Sequence, residues 1–218
     1  MKHLTVLLAS VLALTGFDSA TANAQDATET EIVFTEQRKE EARQQLRRLL
    51  ATYDLDPWIF TQEVRIAAGV DPRSYPILTL NTDFLDDDEM QLSVFLHEQA
   101  HLFVYEAPAR DEAIEELKRM YPEPPRKDDG IYQHLLVAWV ELDAMTELLG
   151  EERAREVLEA KVLRLSGESP ESEVDRVYAW YNGRVLEDTA EIGAVAAGHG
   201  IVINPEKGLV VEDRGAPG

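Results

Sequence analysis

Residues 92–104 read Leu-Ser-Val-Phe-Leu-His-Glu-Gln-Ala-His-Leu-Phe-Val, with His97 and His101 four positions apart and Glu98 beside the first. Four residues is one turn of an α-helix, so both imidazoles fall on one face, and Glu98 projects next to them. Nearly every side of this helix is apolar: Leu92, Val94, Phe95 and Leu96 precede the pair, and Ala100, Leu102, Phe103 and Val104 surround its end. A helix that is apolar all round is buried. Two histidines and a glutamate in such a place cost several kcal/mol unless something satisfies them. A metal ion in a water-filled cleft satisfies all three at once.

The surroundings place this helix in the chain. Asp86-Asp87-Asp88-Glu89 is an acidic helix start, suited to the positive end of the helix dipole, and Pro108 ends the helix, which is predicted over 88–105. Before it, 63–67 alternates polar and apolar residues and 77–81 is a second short strand, with turn-rich sequence between them. The two form a hairpin or part of a small sheet. Further helices are predicted near 36–53, 110–120, 131–149, 151–165 and 170–197, with Ile201–Ile203 as a short terminal strand. The expected fold class is α+β, mostly α. The active-site helix packs on a small sheet, and the C-terminal half is helical.

The ends of the chain read differently. Lys2 and His3, the apolar run 4–14 and the Ala22-Asn23-Ala24 end have the order of a secretory signal peptide cleaved after Ala24. The apolar run is shorter than the ~20 residues that span a bilayer. This predicts a periplasmic or secreted protein. Residues 25–33 are expected to be disordered, 34–212 to form one domain, and 213–218 to be a loose tail. No cysteine occurs, so disulfides and thiolate ligands are excluded, and a metal site must use His, Asp or Glu. The net charge of -21 disfavours nucleic acid and anionic lipid as partners. No membrane insertion is expected once the signal is removed, and oligomeric state is not legible.

The His-Glu-Gln-Ala-His helix preceded by a short strand resembles the zincin metallopeptidases, over roughly 60–150 of this chain. The resemblance implies one zinc ion per chain, held by His97 and His101, and a peptide or protein substrate paired with the strand at 77–81. Glu98 would be the general base that deprotonates a water. The metzincin variant needs a glycine and a histidine where Val104 and Ala107 stand. The gluzincin variant takes a glutamate from a later helix, and Glu141 is the candidate. It lies on an apolar stripe with His134, Ala138, Met145 and Leu148, away from the solvated edge of Asp143, Thr146 and Glu147. The thermolysin-like Asn and Asp that would accompany it are Val140 and Met145 here. His134 is the rival ligand, about 10.5 Å from Glu141 along the helix axis. Glu106, Asp111 and Glu112 are further rivals. His134, Tyr178 and Tyr181 are candidates for lining the cleft or stabilising an oxyanion, and His199 is assigned a capping role. The alternative to a zinc-dependent peptidase is a non-catalytic periplasmic zinc-binding or protein-interaction protein of the same fold.

Overall fold

The structure, a computed structural model, describes residues 17–166 and 173–203. Helix α1 (Phe17–Thr52) opens the described chain. It includes 25–33. No glycine or proline interrupts that stretch, and Ala, Glu and Gln carry the helix through it. A 3₁₀ turn at Asp56–Trp58 leads to strand β1 (Val64–Ile66), and strand β2 (Leu78–Leu80) follows. The strands pair in parallel, Val64 opposite Leu78 and Ile66 opposite Leu80, so they are not a hairpin. The other edge of β2 is closed by its own chain. Arg73 and Thr79 exchange two backbone hydrogen bonds, at 3.0 and 2.7 Å.

Helix α2 (Asp88–Glu106) carries the His-Glu-Gln-Ala-His segment. Asp87 caps it, its side chain accepting from the Met90 N–H at 2.9 Å. Everything from Met90 to Ala100 is buried, as a helix apolar on most of its faces requires. Gln99 is fully buried and has a structural task. It accepts from the N–H groups of Phe60 (2.8 Å) and Thr61 (3.0 Å) and donates to the Thr61 carbonyl (2.9 Å), fastening the segment before β1 to α2.

Helices α3 (Arg110–Met120), α4 (Asp129–Leu149), α5 (Glu151–Ser166), α6 (Glu173–Glu187) and α7 (Thr189–Gly198) complete the fold. Helix α4 is the hub: α2, α3, α5, α6 and α7 all pack on it. Leu135, Leu136, Val137 and Ala138 are 0 % exposed there, so no face of this stretch meets solvent. Helix α4 ends at Gly150, whose φ of 85° suits a residue without a Cβ. The single helix predicted over 170–197 is two, broken at Asp188, and its predicted start at Ser169-Pro170-Glu171 lies outside the described residues.

Ile201–Ile203 is not a strand. Gly200 takes the left-handed conformation (φ 71°), its N–H bonds the Ala197 carbonyl, and the Ile201 N–H bonds the Ala196 carbonyl. That is a Schellman cap, and it turns Ile201 into the core instead of extending it. Residues 204–218, including the expected tail, lie outside the described residues. No described helix is long and apolar enough to cross a membrane.

Candidate metal centre

Helices α2 and α4 run antiparallel past each other. His97 meets Glu141, and one turn further His101 meets His134. The rings of His101 and His134 are 4.7 Å apart between centroids, and those of His97 and His101 are 4.9 Å apart. One ligand atom from each of His97, His101 and His134 lies within 4.8 Å of the others. Among the described residues, no other group of three His, Asp or Glu side chains comes together in this way.

The hydrogen bonds of these rings leave the right atoms free. His134 Nδ1 lies 2.6 Å from the Gly130 carbonyl, which only accepts, so Nδ1 carries the proton and Nε2 keeps its lone pair. His97 Nδ1 lies 2.7 Å from Glu141 Oε2, which leaves His97 Nε2 as the atom that could serve a metal. Burial foremost, with the neighbouring His97 and His134 rings adding to it, lowers the His101 pKa to about 2. Burial and the His97 ring lower that of His134 to about 4. Both are neutral near pH 7, as metal binding requires. The donor set fits a borderline metal such as zinc, for which three imidazoles and one open position form a recognised catalytic arrangement.

Glu141, the expected third ligand, is not one of the three side chains that converge. It reaches the site but stands behind the ligand group, 1 % exposed. One oxygen faces His97; the other accepts from Lys161 Nζ at 2.6 Å and from the Ser93 hydroxyl. Burial alone would raise its pKa, but the Lys161 charge and the His97 hydrogen bond outweigh burial and hold it at about 2. Its geometry is that of a carboxylate orienting a histidine ligand. The third side chain that converges with His97 and His101 is His134, the rival position. The other rivals, Glu106, Asp111 and Glu112, are exposed on the far side of α2 and on α3.

Glu98 is buried beside the triad, and burial raises its pKa against the opposing pull of His97, Ser74 and Lys161. The Ser74 hydroxyl donates to Glu98 Oε2 at 2.6 Å. Nothing local in the sequence marks Ser74; it arrives because Arg73 is stitched to β2, which swings the 72–75 segment over the cleft. Lys161 is a second residue missed. It occupies an amphipathic helix where a solvated lysine is the ordinary reading.

The site opens into a cavity of ≈ 690 Å³ lined by His97, Glu98, His101 and His134, with the aromatic rims of Tyr75, 81 % exposed, and Tyr105. Tyr178 lines this cavity and a second one of ≈ 550 Å³ on the other side of Glu98. Tyr181 is buried, its ring stacked 5.1 Å from His134. His199 caps α7 and contacts Glu116 at 2.9 Å, away from the cleft. No family model, no curated protein and no solved structure matches the chain.

Proposed function

We propose that this protein is an exported zinc-dependent metallopeptidase of zincin-like character, hydrolysing peptide bonds in the cleft between α2 and α4. One observation carries the proposal. Three imidazoles converge at the base of an open cavity, with a raised-pKa carboxylate on the same floor. His97, His101 and His134 would hold the metal. A zinc ion there supplies Lewis acidity, which polarises a carbonyl and makes a water easier to deprotonate.

The chain's own groups do the rest. Glu98 accepts the proton of the attacking water, its burial having raised its affinity for that proton. Ser74 occupies Oε2 and so leaves Oε1 as the proton-accepting atom. Glu98 then delivers the proton to the departing amine. Tyr178, at the junction of the two cavities, is the candidate donor to the developing oxyanion. The proposed peptide does not pair with β2, because Arg73 occupies that edge. It lies along the cleft beside 72–75. Export rests on the basic, apolar and small-residue order of residues 2–24.

The test is metal analysis of the purified protein beside its His97→Ala variant, followed by peptide hydrolysis with Glu98→Gln. About one zinc ion per chain, lost in His97→Ala, is expected. Hydrolysis is expected to fall about 10²- to 10⁴-fold in Glu98→Gln with the metal retained. Metal without hydrolysis in the parent would leave a non-catalytic zinc-binding protein. No metal after zinc is supplied would end both readings.

A further inference from the structure

The second cavity is not a copy of the first. The two share Pro72, His97, Glu98 and Tyr178 as a common wall, so one peptide bound at the triad reaches both. The first is rimmed by tyrosines. The second carries the carboxylates of Asp71, Asp83 and Asp175. Two cations also line it. The Lys161 ammonium is held at 2.6 Å by Glu141, and the Arg164 guanidinium sits 4.5 Å over the Phe84 ring at the exposed margin.

A second, independent feature lies at its floor. Asn182 is 0 % exposed and lines this cavity. Its Nδ2 donates to the Tyr178 carbonyl at 2.9 Å, which fixes the amide's orientation, since that carbonyl cannot donate. Its Oδ1 accepts from no described residue. A buried acceptor left unpaired is costly, and a ligand presenting N–H donors relieves that cost.

We infer that this second cavity is a subsite for a cationic group, the side chain of a lysine or arginine next to the bond that is cleaved. The acidic rim attracts the charge, and Asn182 Oδ1 receives an N–H at the floor. A carboxylate-bearing residue meets like charge there, and an apolar one leaves Asn182 unpaired. The inference rests on the hydrolytic function proposed above, and its test separates the two.

Fluorescein-labelled hexapeptides identical but for one central lysine, norleucine or glutamate are titrated against zinc-loaded Glu98→Gln protein, with binding read by anisotropy. The lysine peptide is expected to bind about fivefold tighter than the norleucine peptide, the size that two or three partly exposed charge pairs produce. The preference is expected to vanish in Asp71→Asn/Asp83→Asn and to persist in Glu151→Gln/Glu152→Gln. The latter pair lies on the remote start of α5 and makes the same change in net charge. Equal binding of lysine and norleucine overturns the subsite, as does a preference that survives the local variant or disappears in the remote one. So does the failure of any peptide to bind. A lysine preference in binding, with no hydrolysis by the unsubstituted protein, upholds the subsite and removes the peptidase instead. Hydrolysis without charge preference does the reverse.

Discussion

His134 and Glu141 sit seven residues apart on the same stripe of α4, and their surroundings differ at every point. His134 faces the open cavity, bonded only through Nδ1 to a carbonyl of its own helix, with the other ring nitrogen uncommitted. Glu141 is sealed behind His97, both oxygens taken by a histidine, a lysine and a serine. One position has a lone pair looking for a partner, and the other has no capacity left. The comparison teaches that a polar residue on an apolar stripe marks a site without saying which side of it the residue occupies. The crossing of α2 decides that.

The comparison breaks most sharply in His134→Ala. Metal content is expected to fall from about one ion per chain to none, with the metal-free fold retained. Inductively coupled plasma analysis and thermal melts check this; retained metal would return the third-ligand role to Glu141. In Glu141→Gln the metal is expected to stay but to bind about 10- to 100-fold more weakly, read by competition with a chromophoric chelator. The same variant leaves Lys161 without its carboxylate and is expected to lower unfolding free energy by about 3 kcal/mol in urea.

A third effect is smaller and concerns pH. A histidine whose folded-state pKa lies below its usual 6.5 binds fewer protons folded than unfolded. Stability is therefore intact above about 6.5 and falls as pH drops, toward about 4 for His134 and about 2 for His101. Metal-free protein is expected to lose about 2 kcal/mol through His134 between pH 7.5 and 5. Urea melts of His134→Gln at the two pH values should lack that loss. The smallest effect is Ser74→Ala, expected to lower kcat about tenfold by releasing Glu98, with KM little changed and Ser74→Thr restoring most of it.

The helix bearing His97, Glu98 and His101 was legible because a buried apolar helix makes each polar residue conspicuous. The ends of α2 followed from Asp87 and Pro108, and the mostly helical architecture from the periodicity of the later segments. Glu141 was legible as a site residue, but its task was not, because helix spacing carries no information about crossing geometry. Ser74 and Lys161 were invisible for a related reason: a lone serine in a turn and a lysine on an amphipathic helix acquire meaning only from tertiary contacts. The break between α6 and α7 had a signal in Asp188-Thr189-Ala190-Glu191, which has the order of a helix start, but the continuous apolar pattern concealed it. The parallel pairing of β1 and β2 depends on the long excursion between them, and strand patterns alone do not distinguish it from a hairpin.

The closed edge of β2 has a consequence for what kind of polymer the proposed function would let this cleft accept. An open strand edge grips a substrate through its amides and so demands an extended main chain with every N–H in place. Here the outermost segment runs through Pro72 and Pro76, which lack N–H groups, and Arg73 turns its own inward to Thr79. For the proposed peptide, recognition would pass from main chain to side chains, and N-methylation of the backbone should be discriminated against far less than a change of side chain.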